Sequence, residues 1–407
     1  MQAQETNLTT AKFKTDLLTR HLLAAGATGK GKTILAYGLI FNFVKLGLNF
    51  ISLSFKRDIR HLIRYIPNLL VLRISPKSNF GWNVIKGYPG VAIICRVFSE
   101  TLNLGIGAES MMYEFSMKLL RQGRLTIPNL YHEISDAKFK VFRDVNWKAS
   151  LVNRLLPFKD MFWRLLNTDA GLSISKLQEK FCIDFELDLA GEYKSFWATL
   201  IPISIYEYRI QNNLRGSKLV TPFLCDEALS IASKKIQNAS YLGEPLLFGL
   251  IRLAREFGIG FSFMTSQPTA LSDTIKANSA IKILMPLGRF EEILDIGRSM
   301  NLDQEQMEFI SGLKPGQAVM KIENSKPFPV TFPNIEIEKN VTDEEIDEHN
   351  ARLLQGTEFE YLIKPEPAAV FVKSEANELT SEQKAFLFDL YNRPYLSIKE
   401  RMDSITL

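Results

Sequence analysis

Residues 21–33 read His21-Leu-Leu-Ala-Ala-Gly26-Ala-Thr-Gly29-Lys-Gly31-Lys32-Thr33, and the next fourteen are ILAYGLIFNFVKLG. Gly26, Ala27, Thr28, Gly29, Lys30, Gly31, Lys32 and Thr33 satisfy G-x-x-x-x-G-K-[ST] at every fixed position. Glycines let such a turn point its backbone N–H groups inward, which makes an anion-binding concavity. A helix beginning there adds unpaired N–H groups and the positive end of its dipole. Lys32 then reaches the β/γ-phosphates of a nucleotide, and the Thr33 hydroxyl holds Mg²⁺. The flanks agree, since HLLAA reads as a short buried strand and Thr33–Leu46 as a buried helix. By accident the pattern occurs in roughly one chain of this length in a hundred. A Gly/Lys-rich surface loop would leave the strand and helix unexplained.

Composition sets the outer bounds. The chain has 407 residues, 46% hydrophobic and 23% charged, enough for two or three globular domains. Apolar runs stay below membrane-spanning length, and the polar N-terminus lacks a signal-peptide core, so a cytoplasmic protein without stable membrane insertion is expected. Cys95, Cys182 and Cys225 sit in apolar surroundings without metal spacing and read as buried thiols of a reducing compartment. Four scattered histidines argue against zinc or histidine-based catalysis. A net charge of +4 is compatible with nucleic acid but too small to argue for it.

Further along, Asn49–Ser54 is a second strand, leading into Phe55-Lys-Arg-Asp58 and a basic helix, Ile59–Tyr65. Strand, phosphate loop, helix, strand opens a parallel α/β sheet. Leu69–Ile74 is another strand, Asn79–Ile85 an aromatic loop, and Gly90–Phe98 and Ser110–Gln122 are covering helices. From Pro128 to Lys180 the pattern is helical and aromatic, without a clear strand. Strand character returns at Phe181–Leu189, before a long helix from Glu192 to about Asn213.

The segment Leu219-Val-Thr-Pro-Phe-Leu-Cys-Asp226-Glu227-Ala228 is an apolar strand ending in two carboxylates. In a phosphate-loop site Asp226 binds Mg²⁺ through a water, and Glu227 orients and polarises the attacking water. The alternative is a surface Asp-Glu pair at a helix N-terminus, where carboxylates are favoured anyway. The upstream loop favours the catalytic reading. Gly260–Thr265 then ends in Ser266-Gln267-Pro268, and Gln267 is either a contact to the γ-phosphate or its water, or a turn residue before proline. Ala280–Pro286 is a further strand, Phe290–Met300 and Asn301–Leu313 are helices, and Gln317–Ile322 with Phe328–Phe332 forms a closing hairpin. Beyond Pro333 the acidic IEIEKNVTDEEIDEHN reads as a linker or exposed helix. Amphipathic helices are expected at Glu378–Leu390 and from Leu396. The expected organisation is a lead-in at 1–20, a core at 21–127 and 181–335, a helical insertion at 128–180, and a linker with a partial helical tail at 336–407.

Several stretches together resemble the HerA/FtsK superfamily of ring-forming P-loop ATPases, most like its HerA-like and conjugation-type members. They are HLLAAGATGKGKT, SFKRD, LCDEA, the run Leu253–Leu287 (LAREFGIGFSFMTSQPTALSDTIKANSAIKILMPL) and Gly312–Pro333 (GLKPGQAVMKIENSKPFPVTFP). The resemblance implies a RecA-like fold with a mainly parallel sheet, a homo-hexamer, ATP and Mg²⁺ as ligands, and movement of double-stranded DNA through a pore. It assigns Lys32 and Thr33 to phosphate and metal, Asp226 to the metal, Glu227 as base and Gln267 as γ-phosphate sensor. It also places Arg252 or Arg255 as an arginine finger acting on the neighbouring subunit; a solvated helix face is the plainer reading of both. In this family the strand after the phosphate-loop helix often ends in aspartate, whereas here it runs Leu-Ser-Phe. A nuclease or other effector subunit is a further implied partner, though the N-terminal β-barrel of HerA proteins has no counterpart in the lead-in.

The sequence itself offers Lys56, Arg57, Arg60 and Arg64 as a DNA-facing basic set, against a solvated helix face. Alternatives to a DNA translocase are an energiser of a secretion or conjugation channel and a nucleotide-dependent scaffold of a defence or repair complex.

Overall fold

The computed structural model describes residues 15–76, 78, 81, 87–162, 172, 179–239 and 243–355. The expected aromatic loop at 79–85 lies largely outside them, as do the tail helices beyond 355.

Nine strands among the described residues form one sheet in the order β3-β4-β2-β5-β6-β1-β7-β8-β9. They are β1 (Leu22–Ala25), β2 (Phe50–Ser54), β3 (Leu70–Ile74), β4 (Lys180–Phe185), β5 (Gly216–Cys225), β6 (Phe257–Thr265), β7 (Ile281–Leu284), β8 (Gln317–Ile322) and β9 (Phe328–Thr331). Strands β1 to β7 pair in parallel, and β8 and β9 add an antiparallel hairpin at one edge. The α/β fold with a mainly parallel sheet is therefore as the sequence predicts.

Buried parallel strands need apolar side chains on both faces, and β1 shows why LLAA suffices. Leu23 and Ala25 join one hydrophobic core, while Leu22 and Ala24 join the other. The phosphate-loop helix Lys32–Lys45 contributes Leu35, Ala36, Leu39 and Phe43 to the second core. Opposite, the long helix Gly191–Gln211 packs with Gly87–Leu102 on the first. Pro222 sits inside the central strand β5, where a missing N–H would ordinarily be costly. It lies one residue before the β2 ladder begins at Ile51–Phe223.

The helical stretch after residue 127 extends the first layer. Ile127–Asp136 and Phe142–Asp160 place Leu130, Ile134, Leu151, Leu155 and Phe158 in the same core as Phe98 and Phe196. Phe158 meets Phe98 and Phe196 with ring centroids 4.6 and 4.7 Å apart. These helices thus belong to the layer opposite the phosphate-loop helix.

Two expectations are corrected. The basic helix after β2 is a 3₁₀ turn, Ile59–Arg64, with Arg60 and His61 buried. The acidic stretch read as a linker or exposed helix is the helix Asp343–Leu354, which buries Ile346, His349 and Leu354. A Thr342/Glu345 capping box starts it. Asn350 then seals the edge strand, accepting from Val71 N at 3.1 Å and donating to Val71 O at 2.7 Å.

Three of the four histidines join backbone segments. His21 donates from Nε2 to Ile251 O at 2.7 Å and accepts at Nδ1 from Phe261 N at 3.1 Å. Burial holds its pKa down at about 4, so the ring is neutral. His61 accepts from Val341 N, and His349 bonds Leu69 O.

Candidate functional site

A parallel sheet delivers the ends of its strands to one edge. Ala25, Thr265 and Leu284 share a register level, as do Leu53 and Cys225. The phosphate loop after β1, Ser266-Gln267 after β6, Asp226-Glu227 after β5 and Ser54–Asp58 after β2 therefore leave the sheet at its carboxyl edge. Strand β6 lies between β1 and β5, so Gln267 stands between the loop and the acidic pair.

The phosphate loop is held from three sides. Gly26 N donates to Thr265 O at 3.1 Å, Ala27 N to Pro286 O at 2.8 Å, and Gly316 N to Lys30 O at 3.1 Å. Gly29 and Gly31 take φ of 78° and 110°, a region that favours glycine. A Cβ on Gly26 would fall 2.8 Å from Met285 Cβ. Lys32 is 8% exposed, and its Nζ donates to the loop's own carbonyls, Gly26 O at 2.5 Å and Ala27 O at 2.9 Å. Burial first, and Lys56 second, pull its pKa down to about 8 against the opposing pull of Glu227.

Asp226 is fixed by main chain. Its Oδ1 accepts from Phe55 N at 2.9 Å and its Oδ2 from Lys56 N at 3.4 Å. Burial outweighs these bonds and raises the carboxyl to about pKa 7. Glu227 is paired with the Lys56 ammonium, Nζ to Oε2, at 3.0 Å. Burial works against the Lys56 charge, but Glu227, Asp226 and Asp58 outweigh it and raise that pKa. Thr33 Oγ1 lies 3.4 Å from Asp58 Oδ2, and Lys339 Nζ holds Asp58 Oδ1 at 2.6 Å. Lys32, Thr33, Ala36, Lys56, Asp58, Ile59, Asp226 and Met264 line one small cleft.

The glycine-lysine turn and the acidic strand end, almost two hundred residues apart in sequence, thus share that cleft. Gln267 is exposed nearby, its N–H bonded to Thr265 Oγ1 at 3.1 Å. Arg252 and Arg255 do not join the group. Both are exposed ahead of the first residue of β6, at the amino end of a nine-residue strand. About 30 Å of strand separates them from the carboxyl edge. Arg252 pairs with Glu244, and Arg255 has no ion-pair partner among the described residues.

Sequence reasoning left Lys56 and Asp58 without a place in the chemistry. In sequence Lys56 reads as one of the basic set, and Asp58 as the last residue of SFKRD. Four residues after the strand end carry both signs of charge, and that is the only local signal.

The basic set itself is consumed by carboxylates. Arg57 meets Asp184 at 3.3 Å and Asp343 at 2.7 Å; Arg60 meets Asp184 at 3.4 Å and also pairs with Asp343. Arg64 meets Glu345 at 2.9 Å. With side chains 6% and 1% exposed, Arg60 and Asp184 form a buried pair. As a DNA face this turn is therefore mostly spent.

Oxygen donors from one hydroxyl and one carboxylate suit Mg²⁺, which keeps waters and substrate phosphates in its shell. Among the described residues no cluster of three or more His, Cys, Asp or Glu could hold a metal alone. The donor set therefore fits a metal arriving with a nucleotide.

No protein-family model matches the chain. It is 21% identical over 372 residues to the DNA double-strand break repair helicase HerA of Sulfurisphaera tokodaii, covering 83% of this chain and 72% of that protein. Among solved structures, the bacterial conjugative coupling protein TrwB matches with a TM-score of 0.60 at 15% identity, over 80% of this chain and 88% of that one. A structure of TrwB in complex with ADP and Mg²⁺ gives 0.61 at 13% identity, with the same coverage. VirB4 of Thermoanaerobacter pseudethanolicus gives 0.58 at 13%, covering 80% and 92%. At such identities the solved structures establish the fold.

Proposed function

From the likeness to HerA and the phosphate-loop cleft, we propose that the chain is a HerA/FtsK-type P-loop ATPase, an ATP-driven motor acting on double-stranded DNA as a ring of identical subunits. The carrying observation is the cleft that unites Lys32, Thr33 and Asp226. In this reading Lys32 exchanges its two loop carbonyls for phosphate oxygens, so the anion site is already formed and needs one side chain to swing. Thr33 and Asp226 would hold Mg²⁺, which supplies charge neutralisation at the β- and γ-phosphates when bound. Glu227 takes the proton of the attacking water as its oxygen adds in line to phosphorus and the β-phosphate oxygen leaves. It does so after parting from Lys56, whose contact at 3.0 Å otherwise holds it as an ion pair. Gln267 touches the γ-phosphate or its water. Arg255, unpaired and far from its own subunit's cleft, serves a neighbour's site, and Arg252 is the lesser candidate. Free, buried Cys95, Cys182 and Cys225 fit a reducing cytoplasm, and no helix among the described residues is long and apolar enough to cross a membrane.

The test is the ATPase rate with and without duplex DNA at two salt concentrations, beside the oligomer mass with and without ATP. A several-fold, salt-sensitive stimulation and a ring-sized mass are expected. A monomer hydrolysing ATP independently of DNA overturns the proposal. The likeness to TrwB and VirB4 favours a second reading, an energiser of a conjugation or secretion channel; it predicts weak DNA stimulation and dependence on a membrane partner.

A further inference from the structure

At the amino end of β7, the end opposite the phosphate loop, β7 and β8 set Lys282 directly across from Lys321. Like charges facing each other on an antiparallel pair are destabilising by up to about 1 kcal/mol. Both side chains are half-buried, and neither has a carboxylate partner among the described residues. Lys276, more deeply buried, is by contrast neutralised by Asp273 at 2.8 Å and Asp295 at 3.0 Å. Burial and the neighbouring Lys321 both lower the Lys282 pKa. Glu323, the carboxylate among the residues lining the adjoining cavity, is occupied by Arg20. These groups open onto a cavity of about 380 Å³ whose lining adds Ser279, Asn301 and Asn324. Two unneutralised ammonium groups, beside hydroxyl and amide donors, form a surface short of negative charge.

We infer that this cavity binds a phosphate group through Lys282 and Lys321. The phosphate comes either from a nucleic-acid backbone, as the motor reading above supplies, or from a free polyphosphate. The site rests on that reading only for the source. Phosphate oxygens would separate the two lysines and offset their repulsion, and contact made through them is sequence-independent.

The double variant Lys282→Gln/Lys321→Gln tests this in the full-length chain. Duplex DNA binding is measured across a salt series, and inorganic tripolyphosphate binding by calorimetry in a Lys32→Ala background that disables the phosphate loop. Removing two phosphate contacts should reduce the slope of log K against log salt by about 2. DNA-free ATPase should be unchanged, and the melting temperature unchanged or higher because a like-charge pair is gone. Lys282→Arg/Lys321→Arg should retain binding. Loss of tripolyphosphate binding with an unaltered DNA slope identifies a free phosphate as the occupant and keeps the site. If neither property changes, the inference is overturned, whereas wild-type ATPase that DNA does not stimulate defeats the motor reading and leaves the tripolyphosphate result standing.

Discussion

The turn after β2 sends Lys56 into the phosphate cleft, onto Glu227, and sends Arg57 away from it, onto Asp184 and Asp343. Arg57 takes φ of 60°, a left-handed conformation that costs a non-glycine residue about 1–2 kcal/mol. That single strained residue turns adjacent cations in different directions. The cleft pair is half-exposed, with side chains 43% and 24% accessible. By contrast, the pair formed by Arg60 and Asp184 is closed to solvent and further roofed by the helix Asp343–Leu354. Exposed pairs contribute about 0–1 kcal/mol, while breaking one side of a buried pair costs about 3–5 kcal/mol. One cluster is open to solvent and the other is closed to it.

The sharpest break between the two regions is catalytic. Glu227→Gln should lower ATP turnover by about 10²–10⁴-fold, the range for a general base, while nucleotide still binds. Lys32→Ala should lose nucleotide affinity as well, and equilibrium binding of a fluorescent ATP analogue separates the two. Equal loss of binding in both would remove the base assignment.

Next in size is stability. Arg60→Leu should destabilise folding by about 3 kcal/mol by leaving buried Asp184 with Arg57 as its one remaining cation among the described residues, read as a shifted urea midpoint. Lys56→Met should stay within about 1 kcal/mol of wild type yet change the ATPase rate. The distinction collapses if the two variants unfold alike.

The smallest effect is a pH slope. Asp226 titrates near 7 when folded and near 3.8 when unfolded. Between those values the folded chain keeps a proton that the unfolded chain has released, so stability falls as pH rises through the window. Thermal melts of nucleotide-free wild type and Asp226→Asn should therefore diverge from pH 5 to pH 8 in favour of the variant. Parallel profiles would mean that the carboxylate is not held in the low-dielectric setting described. His21 acts in the opposite sense at lower pH: its folded pKa near 4 lies below 6.5, so stability is lost as pH falls through that interval in both proteins.

Much of the fold was legible because it is written locally. The buried strand at Leu22–Ala25, the helix after Gly31 and the hairpin at Gln317–Thr331 each follow from neighbours in sequence. The phosphate loop was legible for the same reason. Where reading failed, the partner was remote. Arg57 and Arg60 looked like a free basic face because Asp184 lies 127 residues from Arg57 and Asp343 lies 283 residues from Arg60. The acidic run after Pro333 looked like a linker because its few apolar residues, Ile346 and Leu354 among them, carry a strong signal only once β3 offers an edge to cover.

By itself the sequence determined a glycine-lysine turn of phosphate-loop pattern between a buried strand and a buried helix, since glycine torsions and N–H directions are properties of eight consecutive residues. It also determined that an apolar strand would end in Asp226 and Glu227. Only the tertiary structure decided that the two meet, that Lys56 guards Glu227, and that the arginines beside it are already paired. Electrostatic energy depends on distance through space and on exclusion of water, and neither quantity exists until the sheet has brought its strand ends together.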